Sequence, residues 1–292
     1  MARTLVGMVT FGNVEFTKLA ISSIKDTTEK PIDFFCVVGK PGDTATIEYL
    51  ISKNIPFITH NINLGFPYSI NDIYDYAWKH NDYDYLIIVG NDIIAYPNSI
   101  DSLIHVADTT DYEVISASQY DVKDLVRDYP ETRKHFGGEY YKFYGFSSVS
   151  SPWKHFTKYD EPLSISSMML SDIQNMCLYK KSVINTIGYT DVNFYPAYFV
   201  DNDYAMRIVK LGIRCCTVEN ARFFHFWSRT IHQGSGGSNH VYFRKNEAYY
   251  IIKWGGKVGH ENKTPILGIF DRSTEQTQIA RWVSTQPTLL TK

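Results

Sequence analysis

The sequence lacks the features that mark several large classes of protein. No stretch of 18 apolar residues exists, so no membrane-spanning helix is predicted. The opening MARTLVGMVTFGN has too short an apolar run for a secretory signal. The four cysteines (Cys36, Cys177, Cys215 and Cys216) contain no C-x-x-C pair, which argues against a zinc ribbon or a thioredoxin-type motif and fits a reducing compartment. We therefore expect a cytoplasmic protein without membrane insertion.

Several catalytic signatures and a strong charge bias are also missing. There is no G-x-G-x-x-G, Walker A loop, G-x-S-x-G or H-E-x-x-H, which argues against dinucleotide oxidoreductases, P-loop enzymes, serine hydrolases and zincins. The formal net charge is only -2, and 44% of residues are hydrophobic, so the chain is not disordered. From Arg207 to the end, 13 basic residues outnumber 5 acidic ones. This basic part fits an anionic ligand such as a diphosphate, without demanding nucleic acid.

The first third shows a regular alternation of strand and helix patterns. Strands are predicted at residues 5–10, 33–38, 56–60 and 85–89, and helices at residues 44–53, 67–80 and in the segment that Asn13 can cap. This βαβαβαβ order predicts an α/β fold with a mostly parallel central sheet and helices on both faces. A ligand is expected at the carboxyl ends of the strands.

The rest of the chain alternates less regularly. A helix is predicted at 97–106 and a strand at 113–118, followed by an irregular, aromatic-rich insertion at 119–166. Further elements are predicted at 172–179 (strand), 181–187 (helix), 201–211 (helix), 213–218 (strand) and 241–254 (helix). We expect a single domain over residues 1–260 and a C-terminal extension over 261–292.

Two acidic clusters carry the clearest chemical signal. Asp92, in Gly90-Asn91-Asp92, follows a buried strand and is placed to hold a divalent metal, although Asn-Asp is also ordinary turn chemistry. Asp201 opens a predicted helix and is a candidate general base, while Asp203 and Arg207 can pair at i, i+4. An N-cap with a surface ion pair is the simpler alternative for this second cluster.

Two further motifs have equally simple structural explanations. His225 lies in the aromatic run FFHFW, where a packed core histidine is the ordinary interpretation. Asn63-Leu64-Gly65 can be a turn followed by a helix cap. No single motif decides the function, but their order along the chain is informative.

Taken in order, six segments resemble a family 2 glycosyltransferase of the GT-A fold. They are VGMVTFGNVEFTKLAISSI, NINLGFPYSINDIYDYA, DYLIIVGNDIIAYPNSIDSL, SDIQNMCLYKKSVINTIGYTD, YFVDNDYAMRIVKLGIR and HVYFRKNEAYYIIKWGG. Each segment is a weak match alone, and together they run from about Leu5 to Gly256. The resemblance implies a nucleotide-sugar donor, most simply a UDP-sugar, with Mn²⁺ or Mg²⁺, and transfer of the sugar to the hydroxyl of a glycan or another acceptor.

The resemblance also implies roles for particular residues. Asp201 would be the base of an inverting reaction, and Asp92 and His225 would hold the metal. The residues expected to contact the donor are Thr10, Phe11, Gly12, Asn13, Asp43, Asn63, Gly65, Asn91 and Arg229. The acceptor is expected over the insertion and residues 172–177, in contact with Trp153, Asp172, Asn175 and Asp203. Further aromatic side chains that could stack there are Tyr140, Tyr141, Tyr144 and Trp227, although packing of the loop onto the sheet explains these aromatic residues and Trp153 equally well.

The sequence departs from the family pattern at three places. Gly39 and Lys40 stand where the family often has an acidic residue that reads uracil, which leaves the nucleotide base open. The usual Asp-x-Asp is reduced to Gly-Asn-Asp, so metal binding depends on Asp92. Val200 replaces the usual Glu, which leaves Asp201 as the best base.

Two alternatives stay open at this point. The Tyr-rich insertion and basic C-terminal part would suit a viral enzyme that glucosylates a hydroxymethylated base in DNA, in the cytoplasm of an infected cell rather than a bacterium. The chain could instead be a catalytically inactive GT-A module that binds a sugar or nucleotide.

Overall fold

One large sheet organises the chain. The computed structural model describes residues 2–137, 142–143, 153, 162–167, 175–226 and 239–262. In chain order the strands are β1 (Thr4–Thr10), β2 (Asp33–Val38), β3 (Phe57–Thr59), β4 (Tyr85–Gly90), β5 (Ile93–Ala95), β6 (Val114–Asp121), β7 (Phe136–Gly137), β8 (Lys142–Phe143), β9 (Ile165–Ser167), β10 (Cys177–Lys180) and β11 (Cys215–His225). All of them except the separate β7–β8 pair belong to this sheet.

Eight helices accompany the strands in the described part of the chain. They are α1 (Val14–Thr27), α2 (Thr44–Ser52), α3 (Phe66–Tyr74), α4 (Ser99–Thr109), α5 (Val122–Asp128), α6 (Lys181–Ile187), α7 (Val200–Lys210) and α8 (Asn239–Trp254). A π-helical segment, Asp75–His80, continues α3, and short 3₁₀ turns occupy Pro130–His135 and Val192–Phe194. None of the described helices is both long and apolar enough to cross a membrane.

The strand order is β3-β2-β1-β4-β10-β6-β11-β5, and β9 also pairs with β11. The run from β3 to β4 is parallel, as is the β6–β11 pair. Strand β10 lies antiparallel between β4 and β6, and β5 and β9 run antiparallel to β11. The predicted α/β class with a mostly parallel central sheet is confirmed.

Helices cover both faces of the sheet because its central strands are apolar on both sides. In β4, Ile87 and Val89 join the core shared with α1, α2 and α4, whereas Leu86 and Ile88 join the core shared with α3, α6 and α7. This alternation follows from the two-residue period of a strand. A continuous apolar run such as YLIIV is typical of a strand buried on both faces.

Gly7 lets a helix approach β1 closely. A Cβ atom at this position would lie 2.3 Å from Cγ2 of Ile73 on α3, which is far too short for a real contact. The glycine therefore fixes how tightly α3 packs on the strand whose end carries the first candidate ligand loop.

Most predicted elements are present, and β2 and α6 have the predicted bounds. The expectation of an irregular insertion from residue 119 is wrong for its first ten residues. There β6 continues to Asp121, and Asp121 and Asp124 form a capping box that starts α5. Most of the remainder of the insertion, and residues 263–292 of the predicted C-terminal extension, lie outside the described residues. The predicted domain division therefore stays a prediction.

Candidate active site

The loops that follow β1, β2 and β4 meet at one edge of the sheet. These strands are parallel, and their registers pair Thr10 with Val38 and Val9 with Gly90. The loop of residues 10–13, the turn of residues 39–43 and the Asn91-Asp92 pair are therefore neighbours. This is the edge at which open α/β sheets bind ligands.

Asp43 holds the first of these loops in place. Its Oδ2 accepts the backbone N–H of Gly12 at 3.1 Å, and its Oδ1 accepts that of Thr46 at 3.3 Å. The carboxylate thus caps α2 and fixes the loop after β1 at the same time. Both oxygens of Asp43 bind the backbone and so shape the loop, and its expected contact with the nucleotide-sugar stays a prediction.

The same loop presents polar atoms that lack partners. Among the described residues, the buried Oγ1 of Thr10 and the buried Nδ2 of Asn13 have no hydrogen-bond partner. Asn13 does precede α1, as predicted, but it adopts a left-handed conformation (φ 58°) and makes no side-chain cap hydrogen bond. Buried polar groups are rarely left unpaired without a reason, and a ligand that binds here would pair them.

Strand β11 brings His225 to Asp92. The Nε2 atom of His225 lies 3.3 Å from Oδ1 of Asp92, and the backbone N–H of Phe226 donates to the carbonyl of Asp92 at 3.0 Å. The side-chain amide of Asn91 stabilises the turn, because its Nδ2 donates a hydrogen bond to Oγ1 of Thr17 at 3.2 Å. The two residues predicted as metal ligands, 133 positions apart in sequence, are therefore adjacent in space.

Gln119 is a partner of His225 that the sequence did not indicate. Its Oε1 lies 3.0 Å from Nδ1 of His225. With this oxygen as acceptor, the proton of a neutral imidazole sits on Nδ1, and the lone pair of Nε2 faces the Asp92 carboxylate. Two such electron-rich atoms attract a cation or a proton between them. The predicted strand ends at residue 118, so Gln119 falls in the predicted irregular insertion. No pattern there indicates the direction of its side chain.

Asn175 lies beside Asp92. Its Oδ1 accepts the backbone N–H of Gly90 at 3.0 Å. A Cβ atom on Gly90 would lie 3.1 Å from Oδ1 of Asp92 and 3.3 Å from Oδ1 of Asn175, so a larger residue would press on both oxygens. The residue expected at the acceptor is thus placed next to the expected metal ligands.

The side chains near Asp92 supply only part of the ligands that a divalent cation such as Mg²⁺ needs. Within the described ranges, no group of three or more His, Cys, Asp or Glu side chains could hold a metal. Asp92 and His225 provide one oxygen and one nitrogen, and Asn175 provides a nearby amide oxygen. Mg²⁺ usually takes one or two protein carboxylates and fills its shell with water and substrate phosphates. The arrangement fits that mode of binding.

Asp201 is the second residue of α7 and is half-buried. Burial raises the pKa of its carboxyl above the usual 3.8, and hydrogen bonds from the backbone N–H groups of Asn202 and Asp201 oppose the increase only in part. A raised pKa makes the carboxylate a better proton acceptor near neutral pH.

The loop before Asp201 packs on the start of α3. The N–H of Phe66 donates to the carbonyl of Pro196 at 2.7 Å, and a Cβ atom on Gly65 would lie 2.8 Å from the ring of Tyr195. Asn63 accepts the N–H of Gly65 at 2.9 Å and shapes this turn, as the simpler alternative expected. The contact brings the Asn63–Gly65 turn and the N-terminus of α7 together.

Asp203 faces the protein interior, which corrects its placement at an acceptor surface. It is fully buried, and its Oδ1 contacts Nζ of Lys253 at 2.6 Å and accepts the indole N–H of Trp254 at 2.9 Å. Its Oδ2 lies 3.2 Å from Nε of Arg207, so the predicted i, i+4 pair is confirmed, although it is buried rather than exposed.

Trp153 is likewise an interior residue rather than an exposed stacking surface. Its side chain packs in a cluster with Phe16, Val126 and Phe226, and its indole N–H donates to Asp26 at 2.9 Å. The remaining predicted contacts, Asp172 and Arg229, lie outside the described residues, as do Tyr140, Tyr141, Tyr144 and Trp227.

Comparison with known proteins finds a similarity in sequence and another in fold. No protein-family model matches the chain. Part of the chain is similar to a galactofuranosyl glycosyltransferase of Leishmania donovani, with 38% identity over 74 residues. That match covers 25% of this chain and only 17% of the relative.

The fold is similar to that of TarS from S. aureus. The crystal structure of TarS 1–349 aligns with a TM-score of 0.53 and 10% identity over 97% of this chain and 71% of that one. The same fragment in complex with UDP gives a TM-score of 0.54 and 11% identity over the same shares of the two chains. The fold is therefore of the GT-A type, and the resemblance predicted from the sequence is confirmed for the fold.

Proposed function

We propose that the protein is a glycosyltransferase that moves a sugar from a nucleotide-diphosphate donor, most simply a UDP-sugar, to an acceptor hydroxyl. The observation that carries the proposal is the Asp92–His225 pair at the ligand edge of a GT-A fold, 3.3 Å apart and next to the loop with unpaired Thr10 and Asn13. The similarity to a galactofuranosyl glycosyltransferase and to a UDP complex of TarS supports it.

Asp92 and His225 would hold Mn²⁺ or Mg²⁺ on the donor diphosphate. Bound there, the cation would neutralise the charge that the leaving diphosphate gains. Gln119 would hold the imidazole of His225, Asn175 holds the backbone of Gly90 two residues before Asp92, and the loop of residues 10–13 would offer hydrogen bonds to the nucleoside. The donor would then lie at the edge of the sheet formed by β2, β1 and β4.

Asp201 would act as general base in a single inverting displacement. The acceptor hydroxyl passes its proton to the Asp201 carboxylate, and its oxygen attacks the anomeric carbon of the sugar. The bond from that carbon to the phosphate oxygen breaks, and its electron pair leaves with the diphosphate. Attack from the face opposite the leaving group inverts the anomeric configuration.

The acceptor is proposed to be a glycan hydroxyl. Neither the relative nor the fold neighbours have names that refer to DNA, so the DNA alternative gains no support. The inactive-module alternative is disfavoured by the contact between Asp92 and His225 and by the presence of Asp201 at the start of α7.

The proposal is tested by thermal unfolding of the whole chain with UDP, UDP-galactose, UDP-glucose and GDP-mannose, each with and without Mn²⁺. A ligand that binds only the folded state stabilises it by RT ln(1 + [L]/Kd), about 2.7 kcal/mol at a hundredfold excess over Kd. We expect a metal-dependent increase in Tm with at least one UDP compound. No increase with any donor and metal would contradict the proposal.

Asp92→Ala is expected to weaken metal-dependent UDP binding at least tenfold, because loss of even an outer-shell partner of a metal costs roughly 10- to 100-fold in affinity. Calorimetric titration of UDP in the presence and absence of Mn²⁺ measures the change. Asp128→Ala, which removes an exposed carboxylate on α5, is the matched control and should bind like wild type. Equal UDP affinity in the Asp92 variant and wild type, with metal present, would argue against the assignment.

A further inference from the structure

Asn246 of α8 binds the loop that leads into α7. Its side chain is fully buried, and its Nδ2 lies 2.8 Å from the carbonyl oxygen of Phe194, 3.3 Å from that of Tyr195 and 2.5 Å from that of Ala197. The carbonyl oxygen of Tyr198 lies 3.5 Å away. An amide NH₂ group has two hydrogens to donate, so the four carbonyl oxygens share them. One side chain of α8 thus binds four peptide groups of a single loop.

The neighbours of this amide determine its orientation. Among the described residues, the buried Oδ1 of Asn246 has no hydrogen-bond partner. A reversed amide would place Oδ1 against four carbonyl oxygens, which can only accept hydrogen bonds. The nitrogen therefore faces the loop. The loop contact is maintained although it leaves a buried acceptor unpaired, which is unfavourable by itself.

The loop that Asn246 binds has a strained backbone. Tyr198 (φ 70°) and Phe199 (φ 63°) both have the left-handed conformation, which residues with a side chain rarely adopt. Such a conformation persists only where the surrounding structure holds it. The remaining carbonyl of the loop, that of Pro196, accepts the N–H of Phe66 at 2.7 Å. Each carbonyl from residue 194 to residue 198 is therefore bound from outside the loop, four of them by Asn246.

Aromatic side chains on both sides of Asn246 contact the same loop. They lie three and four positions before and after it, and so on the same face of α8. The ring pairs, with the distances between their centroids, are Phe194–Tyr249 (4.9 Å), Tyr195–Tyr242 (6.2 Å), Tyr198–Phe243 (5.4 Å) and Phe199–Tyr250 (5.5 Å). Because Asn246 is fully buried, water does not compete for its hydrogen bonds to the loop.

This loop sets the direction in which α7 begins. Phe199 precedes the helix and makes no side-chain cap hydrogen bond, and its carbonyl accepts the N–H of Asp203 at 2.9 Å. Asp201 lies in the helical turn that this hydrogen bond closes. The direction of its side chain therefore depends on the backbone dihedral angles of Tyr198 and Phe199, which Asn246 helps to hold.

We propose that Asn246 is a positioning residue for the general base: by binding the carbonyls of the loop before α7, it aims the Asp201 carboxylate at the acceptor hydroxyl. This inference rests on the proposed function. Asn246 contacts no reacting atom and affects the rate of transfer only through Asp201. A residue that merely supports the fold would affect the rate whether or not the base is present.

The test measures release of UDP from UDP-galactose and UDP-glucose, with Mn²⁺ present and water as the acceptor. Asn246→Leu keeps a similar volume and removes the donor. It should lower kcat by about 10- to 100-fold, because a displacement of about 1 Å at a reacting group can cost that much. In the Asp201→Asn background the same change should lower the residual rate by less than about twofold, since the base that it positions is gone. UDP affinity, measured by calorimetry, should stay within about twofold in every variant.

Tyr249→Phe is the matched control on the same face of α8. It removes a hydroxyl that donates to Oδ2 of Asp191 at 2.8 Å and leaves the amide of Asn246 in place, so kcat should stay within about twofold of wild type. Asn246→Ser keeps one hydroxyl donor and serves if the leucine variant does not fold. Its loss of kcat should be smaller, and it should likewise disappear in the Asp201→Asn background.

Two results would overturn the inference. An equal fold-loss of rate in wild type and in Asp201→Asn would show that Asn246 does not act through the base. An unchanged kcat in both Asn246 variants would show that the loop keeps its position without the amide. If wild type releases no UDP from either sugar, or if Asp201→Asn reacts as fast as wild type, the proposed function itself fails, which distinguishes the two failures.

Discussion

Asp201→Asn is expected to lower kcat by about 100- to 10,000-fold, the range that a positioned general base contributes. Asparagine keeps the size of the side chain and can still accept the backbone hydrogen bonds that Asp201 receives. It cannot take a proton from the acceptor hydroxyl. Because the donor is proposed to bind at Asp92, His225 and the loop of residues 10–13, UDP affinity should stay within about twofold of wild type, a change well under 1 kcal/mol.

Single-turnover assays with a UDP-sugar, together with UDP calorimetry, separate these two effects. Asn202→Ala changes the adjacent, half-buried side chain of the same helix turn and is the matched control, which should retain most of the activity. Wild-type turnover in the Asp201 variant would remove this residue from the mechanism.

The pH profile gives an independent readout of Asp201. Its pKa is raised by burial above the usual 3.8, and only the deprotonated form can act as a base. Activity should therefore fall as the pH drops through this raised pKa. The acid limb of the kcat/KM profile should lie at a higher pH than an exposed aspartate would produce. The residual activity of Asp201→Asn should lack that limb.

Lys253→Met is expected to destabilise the protein by about 3–5 kcal/mol, the cost of leaving a buried charge without its partner. Nζ of Lys253 lies 2.8 Å from Oδ2 of Asp191 and 2.6 Å from Oδ1 of Asp203, and all three side chains are at least 90% buried. One lysine on α8 thus compensates two buried carboxylates, and among the described residues only Asp203 has a second cationic partner, Arg207.

Urea unfolding of wild type, Lys253→Met and the control Lys257→Met measures this effect. Lys257 is 72% exposed and 3.9 Å from Glu247, so its loss should change the free energy of unfolding by no more than about 0.5 kcal/mol. A loss below 1 kcal/mol in the Lys253 variant would show that water reaches the two carboxylates.

The same network sets a pH dependence of stability. Burial alone would raise the pKa of Asp191, but the charge of Lys253 and the hydrogen bonds from Lys253, Asn193 and Tyr249 outweigh it, so the pKa is lowered. A carboxyl whose folded-state pKa is depressed stabilises the protein above its unfolded-state value, near 4, and this contribution is lost as the pH falls through the folded-state pKa. In Lys253→Met this loss of stability at low pH should be absent. The free energies of unfolding of wild type and variant should therefore differ less at acid pH than at neutral pH.

The sequence predicted the elements that depend on local pattern. The apolar runs DFFCVV and YLIIV have strand bounds within one residue of the predicted ones, and Asp92 follows its strand as expected. The juxtaposition of Asp92 with His225 came from the family resemblance rather than from any local signal. It depends on β11 pairing with β5 and β6, a long-range choice that periodicity does not encode.

Buried polar networks were the main failure of sequence reasoning. Asp203, Arg207 and Lys253 have charges that normally stay in water, so nothing in their spacing indicated that α7 and α8 would enclose them. For Trp153, stacking on a ligand and packing onto the sheet both stay open in the sequence, since an aromatic residue in an irregular segment has no periodicity to reveal which way it faces, and the structure shows the packing.

The irregularity in β11 has a consequence for the site. Val218 pairs with Ala117 and Arg222 pairs with Ser118, so residues 219–221 have no counterparts on β6. Side chains alternate between the two faces of a strand, and an odd number of extra residues inverts that alternation downstream. The first half of β11 belongs to the hydrophobic interior. The three extra residues exchange the faces to which odd- and even-numbered side chains point before the strand reaches His225. The side of the sheet on which the imidazole meets Asp92 is thus decided by residues that touch neither of them.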